Sequence, residues 1–150
     1  MVKLLSTFFY VGYLPLIPGT FGSMAGVLVF YLVRCCPGLY LAVLVCVTLI
    51  GFLVCGKAEK TFGKKDPRYV VIDEVCGMLI ALFLLPAYDT RVVIMGFFIF
   101  RLMDTVKPFP IDRIESAKGS YGIMGDDIVA GLYTNLILQA ALRMASFRIS

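Results

Sequence analysis

The first third of the chain is almost free of charge. No residue from Leu4 to Val33 is charged, and after Arg34 the 22 residues from Cys35 to Gly56 carry none either. Such a stretch makes a helix of about 33 Å, against a bilayer hydrocarbon core of about 30 Å. Cys36-Pro37-Gly38 reads as a turn, which predicts a short helix over Ser23–Arg34 and a return helix over Leu39–Gly56. Val75–Leu85 and Arg91–Met103 predict a second hairpin around Pro86-Ala87-Tyr88-Asp89, and a last helix over Asp127–Ala145 encloses Asn135 and Gln139. Lys3 followed by Leu4–Val11 looks like the start of a signal peptide, but Pro15, Pro18 and four glycines interrupt it. The segment reads instead as interfacial or re-entrant, leading into a Gly-rich loop at Gly12–Ser23. Several helices fall short of a full span, so the expected fold is all-α: a compact membrane bundle of about five to six helices with partial spans. No repeat divides residues 1–150, which read as one domain.

Composition names the solvent. Sixty percent of residues are hydrophobic, 16% are charged, and mean hydropathy is +0.91. A 150-residue globule lacks the interior to hide so much apolar surface, which points to lipid. A soluble, very apolar helical bundle is the alternative. The net charge of +4 is too diffuse for a nucleic-acid binder. Histidine is absent, which excludes Ser-His-Asp triads, His-ligated zinc and imidazole acid–base chemistry. Cys35, Cys36, Cys46, Cys55 and Cys76 include no C-x-x-C pair and read as small buried hydrophobes rather than a disulfide framework.

The basic residues give the orientation. Two hairpins starting from a cytoplasmic Gly12–Ser23 return the chain there for Lys57–Glu74 and Asp104–Asp126. That face then collects Lys3, Lys57, Lys60, Lys64, Lys65, Arg68, Arg101, Lys107, Arg113 and Lys118, against Arg34, Arg91, Arg143 and Arg148 opposite. The bias follows the positive-inside rule and predicts a membrane protein with its polar face in the cytoplasm.

Three polar segments meet at that face. Pro18-Gly19-Thr20-Phe21-Gly22-Ser23 precedes a helix, so its backbone N–H groups and the hydroxyls of Thr20 and Ser23 suit an anion. Ser23 as a plain helix cap explains it equally well. Asp66–Gly77 opens a helix with the adjacent carboxylates Asp73 and Glu74, which point about 100° apart on a regular helix. One could therefore bind metal while the other caps. Arg101 and Asp104 stand at i,i+3 on one helix face, Pro108 ends that helix at Lys107, and Asp126-Asp127 follow. A surface ion pair and an Asp126 cap are the plain alternatives there. Together Asp66, Asp73, Glu74, Asp104, Asp126 and Asp127 make six of the ten acidic residues. An oxygen-only set suits Mg²⁺ or Mn²⁺, and Arg101 and Lys107 add cations for phosphate oxygens. The combination fits phosphoryl chemistry on a lipid headgroup.

PGTFGS, VVIDEVCG, FRLMDTVKPFP and GSYGIMGDDIVAG, in this order over about Phe9–Leu136, resemble the phosphatidylglycerophosphatase A family of bacterial membrane enzymes. Ser120, Met103 and Gly125 depart from the family's usual residues without removing a carboxylate. The resemblance implies Mg²⁺-dependent removal of the terminal phosphate of phosphatidylglycerol phosphate, a phospholipid partner, and metal-binding residues Asp73, Glu74, Asp104, Asp126 and Asp127. Asp73, Asp104, Asp127, Arg101 and Lys107 would be catalytic. Gly19, Thr20, Gly22 and Ser23 would bind phosphate together with Arg101 and Lys107. Two alternatives stand beside it: an undecaprenyl diphosphate phosphatase-like enzyme, and a divalent-cation transporter or regulatory membrane subunit. A transporter would place its carboxylates at mid-membrane, whereas most of these lie at the ends of apolar runs.

Overall fold

Helix α1 covers Val2–Ser6, and a 3₁₀ turn at Val11–Tyr13 leads to α2, Pro18–Val33. Then follow α3 (Pro37–Phe62), α4 (Ile72–Ala81), α5 (Thr90–Val106), α6 (Ile111–Glu115) and α7 (Ser120–Ile149). The computed structural model describes residues 1–64, 67–85, 89–117 and 119–149, the last four of these by backbone alone. Lys65, Asp66, Lys118 and the Pro86-Ala87-Tyr88 turn lie outside the described residues, as does the Arg148 side chain. All described elements are helical, as expected; the five-residue helices α1 and α6 raise the number above five to six.

Several boundaries differ from the sequence expectation, for local reasons. Pro18 and Pro37 each sit in the first turn of a helix, where a missing N–H costs nothing and φ is already set. The Gly-rich segment is therefore the opening turn of α2 rather than a loop, and the turn before α3 tightens to Arg34–Cys36. Helix α7 begins seven residues before Asp127, after Gly119 in a left-handed conformation.

Helix α4 is the centre of the bundle. Eight of its ten residues are buried, against α2, α3, α5 and α7. Protein surrounds it, and beyond its opening pair of acids it is apolar all round. Its C-terminal carbonyls end in apolar surroundings and need partners. Asn135 Nδ2 donates to Ala81 O (3.1 Å) and Phe83 O (2.8 Å), Gln139 Nε2 donates to Asn135 Oδ1 (2.7 Å), and the Tyr40 hydroxyl donates to Leu79 O. The polar residues inside α7 thus cap α4.

Helices α3 and α7 are long and apolar enough to cross a membrane, and only 22% and 28% of their most apolar stretches are buried. A soluble core helix would be mostly buried; these show lipid-compatible faces such as Leu41, Leu49, Leu53, Leu132 and Leu136. The same exposure corrects the cysteine expectation. Cys55 and Cys76 are buried, but Cys35, Cys36 and Cys46 are exposed, and none of the five is in a disulfide among the described residues.

Candidate active site

Helices α2, α4 and α7 open at the same end of the bundle where α5 closes, and a cavity of about 220 Å³ lies between them. Gly19, Asp73, Glu74, Arg101, Asp104, Lys107, Asp126 and Asp127 line it, with Arg68 from the α3–α4 connection. Five carboxylates face three cationic side chains, a formal excess of two negative charges.

Glycines bring the acids together. Asp73 and Asp127 are each followed four residues later, one helical turn on, by Gly77 and Gly131. A Cβ at Gly77 would lie 2.7 Å from the Asp127 carbonyl oxygen, and one at Gly131 would strike the Gly77 carbonyl. Only with both glycines can α4 and α7 touch backbone to backbone, which sets the acidic turns side by side. Gly19 leaves room in α2 for the acid and cation themselves: a Cβ there would lie 2.6 Å from Glu74 Oε1 and 3.2 Å from Arg101 Nη1.

The five acids divide into two sets. Asp73, Glu74 and Asp127 each offer a carboxylate oxygen, all within 4.8 Å of one another. The expected divergence of Asp73 from Glu74 does not separate their oxygens, because the side chains converge across the mouth of the helix on Asp127. Glu74 Oε2 and Asp127 Oδ1 are buried without a hydrogen-bond partner, and buried carboxylate oxygens at this spacing repel unless a cation or shared proton intervenes. Oxygen-only donors with two orphaned atoms fit a hard divalent cation.

Asp104 and Asp126 instead hold cations. Arg101 Nη1 donates to Asp104 Oδ2 at 2.7 Å, half-buried rather than on the surface. Lys107 Nζ donates to Asp126 Oδ2 at 2.9 Å and to Glu115 Oε1 at 2.7 Å. Burial by itself would lower the Lys107 pKa, but the Glu115 and Asp126 carboxylates raise it above the usual lysine range, so the ammonium stays charged. The αL conformation of Lys107 ends α5 and turns this side chain back across the cavity. Asp126 is no helix cap, since α7 is already in its second turn there; its Oδ1 accepts from Asp127 N at 3.0 Å.

Of the expected phosphate loop, Gly19 lines the cavity; Thr20, Gly22 and Ser23 do not. The helical start turns Ser23 and Gly22 inward: Ser23 is fully buried with its hydroxyl donating to Gly19 O at 3.0 Å, and Gly22 packs on Val71. Arg68 is the residue missed. It appeared in the sequence only as a cytoplasmic charge, and no periodicity marks an irregular connection. The departures from the family pattern are accommodated: Ser120 Oγ accepts from Gly56 N at 2.7 Å, and Gly125 leaves room for Ile114.

Residues 4–142 match the family model described as Phosphatidylglycerophosphatase A. The chain belongs to the phosphatidylglycerophosphatase A family. It is 41% identical to Phosphatidylglycerophosphatase A of Escherichia coli over 90% of this chain and 80% of that protein. It is 31% identical to the protein of the same name in Haemophilus influenzae, over 93% of this chain and 87% of that one. A Bacteroides thetaiotaomicron protein bearing the name "Putative phosphatidylinositol-3-phosphatase" is 34% identical over 92% of this chain and 91% of its own length. No solved structure matches the chain significantly. Family membership makes the chain a phosphoric monoester hydrolase with a phospholipid substrate.

Proposed function

We propose that this chain hydrolyses phosphatidylglycerol phosphate to phosphatidylglycerol and phosphate with Mg²⁺ held by Asp73, Glu74 and Asp127. The observation that carries the reading is the convergence of these three carboxylates, two of them with orphaned buried oxygens, beside Arg68, Arg101 and Lys107. When bound, the cation supplies Lewis-acid polarisation of the phosphoryl oxygens and neutralises charge. The chain's own groups do the rest. Arg101, fixed by Asp104, and Lys107, fixed by Asp126 and Glu115, present donors to the equatorial phosphate oxygens as charge redistributes. Their partners keep both long side chains in place before substrate arrives, so little ordering remains to be done on binding. Arg68 makes no ion pair among the described residues and is available to the incoming phosphate. The free N–H groups at the start of α2 favour the same anion.

The cavity opens at the end of two long apolar helices, which supports an interfacial enzyme over a transporter. The bias of basic residues to this end supports a site on the cytoplasmic face of the bacterial inner membrane.

The test is phosphate release by purified protein in mixed micelles. Phosphatidylglycerol phosphate should be turned over with Mg²⁺, arrested by EDTA and restored by excess Mg²⁺; full activity in EDTA would refute the metal assignment. The Bacteroides relative's name motivates a second substrate in the same assay. Preferential turnover of phosphatidylinositol 3-phosphate would move the headgroup assignment and leave the site chemistry intact.

A further inference from the structure

Helices α2 and α5 both rest on α4, through Gly26 and Gly96, each of which comes against Met78. Two helices seated on one floor leave a cleft between them on the outer side. Here the cleft is a groove of about 350 Å³ walled by Met24, Val27 and Tyr31 of α2 and by Ile94, Phe97 and Phe98 of α5. No charged side chain lines it.

The groove runs out of the polar cavity. Gly19 and Arg101 form the meeting point of α2 and α5 at the cavity rim. Met24 lies five residues beyond Gly19, and Phe98 three residues before Arg101, so the groove begins about 4–8 Å below the rim. From Met24 to Tyr31 it extends about another 10 Å, which takes it to about the depth of the roughly 15 Å of hydrocarbon in one leaflet. An amphiphile with an anionic head would meet cations at the top and an uncharged trough directly beneath.

We infer that this groove holds one acyl chain of the phospholipid whose phosphate occupies the cavity, so that tail and headgroup are bound as a continuous ligand. The inference rests on the lipid phosphatase reading. The cavity between α2, α3 and the end of α4, lined by Phe30, Arg34, Tyr40 and Leu82, lies at the far end of the bundle, whereas this trough runs toward Gly19 and Arg101 at the rim of the acidic site. A chain seated there orients the headgroup ester toward Arg101 and away from bulk lipid.

The experiment uses the full chain in lipid nanodiscs with photoreactive lipids carrying a mid-chain diazirine. One probe is phosphatidylglycerol phosphate and the other phosphatidylcholine; samples are illuminated on ice immediately after mixing, and adducts are mapped by mass spectrometry. Labelling of Met24, Ile94 or Phe98 at least about tenfold above the phosphatidylcholine level, suppressed by unlabelled phosphatidylglycerol phosphate, is the expected result. Equal labelling by both probes, or spread over α3 and α7 alike, overturns the groove. Val27→Trp and Ile94→Trp fill the trough from opposite walls. Each should lower kcat/KM for dioleoyl substrate about tenfold relative to the deacylated headgroup phosphate. Leu28→Trp, exposed beside the groove, should change neither. Equal losses on both substrates also overturn the proposal. Absence of any phosphate release by the unmodified chain would strike the phosphatase reading instead, and the labelling pattern would still decide the groove.

Discussion

Replacing Gly77 by alanine tests whether close helix approach creates the site. The added Cβ would stand 2.7 Å from the Asp127 carbonyl oxygen and 2.7 Å from the Phe100 ring, where ordinary contact begins at 3.4 Å. One obstacle is backbone and the other a fully buried ring, so neither yields by a rotamer change. Helix α4 must therefore move from α7 by about 0.7 Å, carrying Asp73 and Glu74 away from Asp127. Overpacking of this kind costs about 1–3 kcal/mol. Misplacement by 1 Å near a reacting centre costs about 100-fold in rate, so a loss of about tenfold to a hundredfold is expected. A Mg²⁺ titration of phosphate release reads both consequences: turnover falls and the half-saturating Mg²⁺ concentration rises, because the three donors no longer converge. Gly38→Ala, with nothing within 4 Å of the new methyl, is the control and should behave as the parent. Parental turnover and Mg²⁺ dependence in Gly77→Ala would refute the account of how the acids are assembled.

Asp127→Asn and Glu74→Gln should each abolish most turnover while leaving thermal stability in EDTA equal or higher, since each removes a repelling buried charge; the Mg²⁺-induced rise in Tm should vanish, and a parallel collapse of Tm and activity would make these residues structural. Lys107→Gln should lower activity and stability together, by about 1–3 kcal/mol, because Asp126 is left without its cation. With its pKa raised, Lys107 keeps its charge below about pH 10.5 and loses it only above, so its stabilisation is complete wherever the Glu115 and Asp126 carboxylates are ionised; an activity step between about pH 7 and 9 that disappears in Lys107→Gln would contradict the assignment. Asp89 caps α5 at the opposite end, its Oδ1 accepting from Arg91 N at 2.9 Å, so Asp89→Ala should cost about 0.5–2 kcal/mol in an unfolding measurement with turnover unchanged. Single cysteines at Lys64 and Asp89, in a background with the native cysteines replaced, should label from opposite sides of the membrane in intact cells; labelling from one side would overturn the orientation.

Much of this was legible in the order of residues. The uncharged runs pointed to lipid and gave the helical class, because within lipid a run of this length satisfies its backbone as a helix. Arg101 and Asp104 pair as their i,i+3 spacing dictates, and Pro108 ends α5 where a helix must stop. The clustering of acids at helix ends marked the chemistry before any coordinate did. Other features depended on what each residue met across the bundle. Helix α4 reads in sequence as one arm of an apolar hairpin, yet four neighbours bury it, and burial is a property of the neighbours. Asp73, Glu74, Asp104, Asp126 and Asp127 look equivalent along the chain. Only packing separates the three whose oxygens converge from the two that hold Lys107 and Arg101. The D-x-x-x-G spacing at Asp73 and Asp127 was in view throughout, but a glycine one turn after an acid acquires meaning only when a second helix comes to lie against it. Thr20 and Ser23 carry hydroxyls suited to phosphate, yet in the helix that begins at Pro18 neither lines the cavity, and Ser23 is spent on the Gly19 carbonyl. The sequence by itself determined the secondary structure class and the chemical inventory and pointed to lipid as the solvent, because these follow from local pattern. Which carboxylates share one point in space is a long-range property, decided by backbone contact between α4 and α7.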